Sequence, residues 1–206
     1  FRQYHVIDGT MSENERISGS CAAELTPGPL KKTIVMVGMM GAGKTAVGRA
    51  LAARLNAPFL DSDHEIEAAA NMTIPEIFER DGEPFFRQKE TQVISRLLEE
   101  ERGVLSTGGG AFLSEQNRQI IADKGVAVWL QADLEVLWNR VRHKDTRPLL
   151  RTADPRATLA GLYDKRVPLY AEADVTVKSD GQVSIEGMVD RVLEALRARP
   201  DVLDFN

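Results

Sequence analysis

The chain has 206 residues, 43% of them hydrophobic, and a formal net charge of -5 at pH 7. This length predicts a single domain with a sizeable core, and the negative charge disfavours nucleic acid and anionic membrane surfaces as partners. The single cysteine, Cys21, excludes an internal disulfide, and no apolar run reaches the roughly 18 residues that a membrane span requires. We therefore expect a cytoplasmic protein.

The first 30 residues show neither helical nor strand periodicity and are rich in Gly, Ser, Pro, Glu and Thr. This composition predicts a disordered tail over residues 1–30. Because Met11 is followed by Ser-Glu-Asn, we interpret it as the native start and residues 1–10 as remnants of an expression vector. Residues 31–206 are then the folded domain.

From residue 33 onward, strand-like and helix-like segments alternate. Short apolar runs predict strands at 33–37, 59–60, 104–106, 126–130 and 175–177. Helices are predicted over 45–55 and 185–197, as a pair within about 64–101 that includes the capping box Thr73–Glu76, and after the caps Ser114 and Asp133. This alternation predicts an α/β fold, with a parallel sheet covered on both faces and ligands at the carboxyl ends of the strands.

A glycine-rich motif follows the first strand. Residues 38–45, GMMGAGKT, match G-x-x-x-x-G-K-[ST] without deviation. Glycines let backbone N–H groups point at a phosphate, the lysine reaches the β- and γ-phosphates, and the threonine ligates Mg²⁺. The strand before it and the amphipathic helix after it favour nucleotide binding over a plain turn. The motif predicts an ATP or GTP site made by Met40, Gly41, Ala42, Gly43, Lys44 and Thr45.

Two aspartates follow the second predicted strand. If this segment is extended, Asp61 and Asp63 leave the chain on the same side. We then expect one of them to bind the waters of Mg²⁺ and the other to accept a hydrogen bond from an acceptor hydroxyl. The alternative is that one of them caps the following helix.

A basic segment stands out in this acidic chain. Residues 140–166 contain eight Lys and Arg against three Asp, and residues 143–154 lack an apolar period. This pattern predicts a lid at about 143–154 whose cations neutralise phosphate oxygens and exclude water. We select Arg140, Arg147 and Arg166 as functional and interpret the other basic residues as surface residues.

Six motifs in order resemble the shikimate kinase family. They are GMMGAGKT, DSD at 61–63, FFRQKE around Arg87, STGGGA at 106–111, TRPLL at 146–150 and KRVPLY at 165–170. The resemblance implies a three-layer P-loop fold like that of nucleoside monophosphate kinases. Its five-stranded parallel sheet would have the order 2-3-1-4-5 and be flanked by helices, with a substrate-binding region at about 62–101, a mobile lid and a monomeric state.

The resemblance also implies a reaction and residue roles. The γ-phosphoryl group of MgATP would pass to the 3-hydroxyl of shikimate, a step of aromatic amino acid biosynthesis. Lys44, Asp63 and Arg147 would be catalytic, with Asp63 as the base. Thr45 and Asp61 would bind Mg²⁺, and Arg140 would lie by the adenine. Shikimate would contact Asp63, Arg87, Gly108, Gly109, Gly110 and Arg166.

The chain departs from the family pattern after the last strand, where a V-D-T-like stretch often flanks the adenine. Here the residues are Val177, Lys178 and Ser179, which leaves Gln182 as the adenine-side candidate. Two other functions stay open: a kinase of another small polyhydroxy acid such as gluconate, and a noncatalytic ATP-binding regulatory module.

Overall fold

The computed structural model describes residues 27–143 and 148–205. Arg147, Cys21 and the predicted tail up to residue 26 lie outside the described residues, as do residues 144–147 of the predicted lid. The strands are β1 (Pro27–Leu30), β2 (Thr33–Val37), β3 (Phe59–Asp61), β4 (Val104–Ser106), β5 (Gly125–Ala132), β6 (Val175–Ser179) and β7 (Leu203–Phe205). The helices are α1 (Lys44–Arg54), α2 (Ser62–Ala70), α3 (Ile74–Glu100), α4 (Glu115–Lys124), α5 (Leu134–Val141), α6 (Pro155–Tyr170) and α7 (Ile185–Leu196).

Strands β2 to β6 form one parallel sheet in the order β3-β4-β2-β5-β6. Counted from β2, this is the predicted order 2-3-1-4-5, so the sheet prediction is confirmed. Ile34 on the central strand β2 is opposite Val104 on β4 and Val126 on β5, and all three are fully buried. Parallel strands covered on both faces need such continuous runs of Val, Ile and Leu, which is why these segments were recognisable in the sequence.

Helices flank the sheet as predicted for a three-layer fold. α1 packs against α7, and α3 packs against α4. The Thr73 hydroxyl accepts a hydrogen bond from the Glu76 N–H, and the Glu76 carboxylate accepts one from the Thr73 N–H, so the predicted capping box begins α3. Within α3, Gly82 at φ 82° and ψ 169° interrupts the helical backbone. In the part of the chain that the structure describes, no helix is both long and apolar enough to cross a membrane.

Two elements differ from the sequence prediction. Residues 27–30 were assigned to the tail, whereas they form β1 and pair antiparallel with β7, where Leu30 lies opposite Leu203. The prolines of this segment disfavour a strand in the sequence, but an edge strand tolerates them. Helix α6 was not assigned either; its side-chain cap is Asp154, which accepts a hydrogen bond from the Ala157 N–H.

Candidate functional site

The glycine-rich motif forms the loop between β2 and α1. Gly41 and Gly43 have φ angles of 82° and 98°, which residues with a β-carbon rarely adopt. A β-carbon on Gly41 would also lie 2.7 Å from the Val141 side chain. Helix α1 begins at Lys44 without a side-chain cap at Gly43. Its first N–H groups and the positive end of its dipole therefore make an anion site, as the motif predicts.

Two cations hold this loop in shape. Lys44 Nζ donates hydrogen bonds to the carbonyl oxygens of Gly38 at 2.9 Å and Met39 at 3.2 Å. Arg140 Nη1, from α5, donates to the Gly41 carbonyl at 3.2 Å, and its Nη2 donates to Ser179 Oγ at 3.3 Å. Arg140 thus ties this loop, the phosphate loop (38–45), to the end of β6, and both positive charges lie at the loop.

A cavity of about 480 Å³ opens at the carboxyl ends of the central strands, a volume in the range of small-ligand sites. It brings together most of the predicted residues: Met40, Gly41, Ala42, Gly43, Lys44, Thr45, Asp61, Asp63, Gly108, Gly109 and Arg140. Gln182 is exposed and is not part of this lining, whereas Val183 and Ile185 from the same segment are. Neither was predicted, because a polar contact was expected there; their position at the start of an amphipathic helix was the available signal.

The two aspartates have different local roles. Asp61 is the N-cap of α2, and its Oδ1 accepts hydrogen bonds from the N–H groups of Asp63 at 3.1 Å and His64 at 3.3 Å. The capping alternative is therefore realised for Asp61. The predicted extended conformation of 61–63 is wrong because α2 begins at Ser62, but Asp61 as the N-cap and Asp63 in the first turn both line the cavity.

Asp63 has an environment suited to proton transfer. Burial raises the pKa of its carboxyl, the nearby Asp61 charge raises it further, and Lys44 acts in the opposite direction. A carboxylate with a raised pKa is a stronger base near neutral pH than a free aspartate.

Thr45 and Asp61 fit a magnesium ion. Thr45 Oγ1 lies 3.3 Å from Ser106 Oγ, and both residues line the cavity together with Asp61. Mg²⁺ prefers such oxygen donors, and in nucleotide sites it takes one or two from the protein and the rest from phosphates and water. Over residues 27–143 and 148–205, no three His, Cys, Asp or Glu side chains group as a full protein cage would require.

The glycine triplet between β4 and the 3₁₀ turn Ala111–Leu113 makes room for neighbouring side chains. A β-carbon on Gly108 would lie 2.7 Å from Asp63 Oδ1, and one on Gly110 would lie 2.6 Å from both terminal nitrogens of Arg87. At Gly109 the nearest atom would be 3.7 Å away. Gly108 and Gly110 thus leave room for the side chains of Asp63 and Arg87, while Gly108 and Gly109 line the cavity. That all three glycines contact substrate stays a prediction.

Arg87 is held by two glutamates of its own helix. Its Nη1 donates to Glu90 Oε2 at 2.8 Å, and its Nε and Nη2 donate to Glu83 Oε1 at 3.2 and 3.1 Å. Glu90 is 1% exposed, and burial raises its pKa while the Arg87 charge opposes this. Sequence analysis missed Glu90, although its place three residues after Arg87 in FFRQKE was a detectable signal.

Arg166 also approaches the glycine triplet. Its Nη1, on α6, donates to the Gly109 carbonyl at 3.5 Å. Arg87 on α3 and Arg166 on α6 therefore converge on the same short backbone segment, with Asp63 beside it. Two guanidinium groups and one carboxylate next to a phosphate loop can bind an anionic, hydroxylated acceptor.

Comparison with known proteins identifies the family. The family model described as shikimate kinase matches residues 40–197. A shikimate kinase of Ruegeria pomeroyi is 70% identical over 190 residues, which cover 92% of this chain and 94% of the relative. The chain belongs to the shikimate kinase family. A second shikimate kinase, from Cereibacter sphaeroides, is 67% identical over 85% of the chain and 87% of its own length.

Solved structures agree with this membership. The shikimate kinase of Acinetobacter baumannii in complex with shikimate is 40% identical, with a TM-score of 0.77 over 81% of this chain and 93% of that one. A gluconokinase from Sinorhizobium meliloti has a TM-score of 0.55 at 20% identity, over 84% of this chain and 95% of that one, and shows the shared fold alone. As a shikimate kinase family member the chain is an ATP-dependent kinase, and neither the gluconate nor the noncatalytic alternative is favoured.

Proposed function

We propose that the protein transfers the γ-phosphoryl group of MgATP to the 3-hydroxyl of shikimate, giving shikimate 3-phosphate and ADP. The observation that carries this proposal is the family match over residues 40–197. It is supported by the site, where the carboxylate of Asp63 and the loop of Lys44 line one cavity. An acceptor hydroxyl at Asp63 would then stand close to a γ-phosphate on the loop, as in-line transfer requires.

On the nucleotide side, the N–H groups at the start of α1 and the ammonium group of Lys44 bind the phosphates. Thr45 would hold Mg²⁺ directly and Asp61 would hold it through water, and the ion would neutralise phosphate charge. Arg140 lies by the adenine, and the apolar Val183 and Ile185 make that end of the cavity suited to a base.

On the acceptor side, Asp63 orients the hydroxyl and takes its proton as the phosphoryl group is transferred. Arg87 and Arg166 bind the shikimate carboxylate, because the planar guanidinium matches a carboxylate with two hydrogen bonds. Gly109 brings bare backbone against the ring. The role of Arg147 at the transferring group, the monomeric state and the cytoplasmic location stay predictions.

The test is a coupled assay of ADP release with MgATP and shikimate, with gluconate and AMP as parallel acceptors. We expect release that depends on shikimate, and loss of turnover in Lys44→Met and Asp63→Asn, the latter with ATP binding retained. Lys178→Met and Asp123→Asn alter exposed residues of the same types and serve as matched controls. ADP release with another acceptor only, or full activity of Asp63→Asn, would contradict the proposal.

The magnesium assignment has its own test. Chelation with EDTA should stop ADP release, and added Mg²⁺ should restore it. Thr45→Val removes the hydroxyl at nearly constant volume, so we expect it to need a higher Mg²⁺ concentration for half-maximal rate. An unchanged Mg²⁺ requirement in this variant would remove Thr45 from the metal site.

A further inference from the structure

Tyr170 is a buried tyrosine outside the set of residues assigned above. It is the last residue of α6, is 0% exposed, and lies one helical turn after Arg166. Its ring stacks on Trp129 of β5 at 6.2 Å between centroids and on Phe112 at 6.5 Å. Its hydroxyl donates a hydrogen bond to the carbonyl oxygen of Gly109. The ring is thus fixed to the sheet, and the hydroxyl reaches the glycine triplet.

The carbonyl of Gly109 has a different kind of partner from those beside it. The Gly108 carbonyl accepts a backbone hydrogen bond from the Ala111 N–H, and the Gly110 carbonyl accepts one from the Leu113 N–H. In the described residues, the hydrogen bonds to the Gly109 carbonyl come from side chains of α6, namely Tyr170 and Arg166. The orientation of the peptide between Gly109 and Gly110 therefore depends on α6.

The contacts from α6 matter because a glycine backbone is not restricted to one conformation by a side chain of its own. With no β-carbon, three successive glycines have the widest choice of backbone angles of any residues. The peptide in question lies between Arg166, bonded to its carbonyl, and Arg87, whose nitrogens lie against Gly110. A rotation of this peptide would displace the backbone from both guanidinium groups at once.

We propose that Tyr170 is a positioning residue for the acceptor: its hydroxyl fixes the Gly109–Gly110 peptide and thereby the spacing of Arg87 and Arg166 that receives the substrate carboxylate. The inference rests on the proposed function. Burial outweighs the two neighbouring arginines and raises the pKa of Tyr170 to about 12, so the hydroxyl stays a donor at working pH.

The experiment compares Tyr170→Phe with the wild type in the ADP assay, with each substrate varied in turn. The variant keeps the ring and its stacking and loses only the hydroxyl. We expect the KM for shikimate to rise about fivefold to tenfold, the effect of one lost buried hydrogen bond, with the KM for ATP within about twofold. Tyr163→Phe, on the same helix and only partly buried, should match the wild type.

A second control separates positioning from stability. Leu159 is fully buried in the first half of α6, whereas Tyr170 is the last residue of this helix. Leu159→Val should therefore lower Tm without a selective change in the KM for shikimate. Shikimate affinity is also measured by calorimetry at 10 °C, where loss of one hydrogen bond leaves a protein of ordinary stability folded.

The outcomes separate the two proposals. No shikimate-dependent ADP release by the wild type would overturn the proposed function. An active wild type with an unchanged shikimate KM and affinity in Tyr170→Phe would overturn only the inference. An equal rise in KM for shikimate and for ATP in Tyr170→Phe would also overturn the inference if Leu159→Val, with the same Tm, showed the same rise. The hydroxyl would then act only through stability.

Discussion

Replacement of Gly110 by alanine tests how the glycine triplet and Arg87 fit together. Gly110 has φ -101° and ψ -14°, which alanine adopts without strain, so the substitution acts through its methyl group alone. That methyl group would lie 2.6 Å from Arg87 Nη1 and Nη2, whereas ordinary contact begins at 3.4 Å. The guanidinium or the loop must therefore move by about 0.8 Å, and a shift of this order at a binding group can cost up to about 100-fold in rate.

Arg87 has little freedom to absorb this shift. Its 2.8 Å hydrogen bond to the buried Glu90 would break if the guanidinium swung away, leaving a buried charge unpaired. We therefore expect the KM for shikimate to rise about 10- to 100-fold, equivalent to about 1.4 to 2.8 kcal/mol. The KM for ATP should stay within about twofold, because the phosphate loop is not touched.

Initial rates of ADP formation with each substrate varied give both constants. Gly161→Ala on α6 is the matched control, because among the described residues nothing beyond the neighbouring backbone of α6 lies within 4 Å of the added methyl group. We expect unchanged kinetics and a stabilisation of up to about 1 kcal/mol from the better helix former. A wild-type shikimate KM in Gly110→Ala, or equal increases for both substrates, would refute the reasoning.

Two further predictions concern charge at the site. Since burial and Asp61 raise the pKa of Asp63, the acid limb of the kcat/KM profile should lie at higher pH than for a free aspartate. Asp61→Asn keeps a good helix cap but removes the negative charge that raises the pKa of Asp63. In this variant the acid limb should therefore move to lower pH. A limb at the same pH in this variant would exclude Asp61 as a cause. Glu90→Gln keeps the shape of the side chain but removes the charge that orients Arg87, so we expect a severalfold higher KM for shikimate and a change of about 1 kcal/mol in the free energy of unfolding, measured with urea. An unchanged shikimate KM in Glu90→Gln would show that the Glu90 charge is not needed to orient Arg87.

Local sequence determined much of this protein. The motif at 38–45 requires the strand–loop–helix unit that surrounds it, and short apolar runs placed all five strands of the parallel sheet. These features were predictable because each depends on neighbouring residues: the glycines of the motif, the capping box at Thr73, and apolar periodicity. Family resemblance then supplied the order of the sheet.

Tertiary structure decided what depends on contacts between distant segments. β1 exists because residues 27–30 pair with residues 203–205, far away in the chain. Why Gly108 and Gly110 are glycines became visible only with Asp63 and Arg87, from two other helices, placed against them. The glycines of 106–111 were evident in the sequence, but the side chains that need the space come from segments 23 to 45 residues away in the chain, whose approach only the packed fold determines.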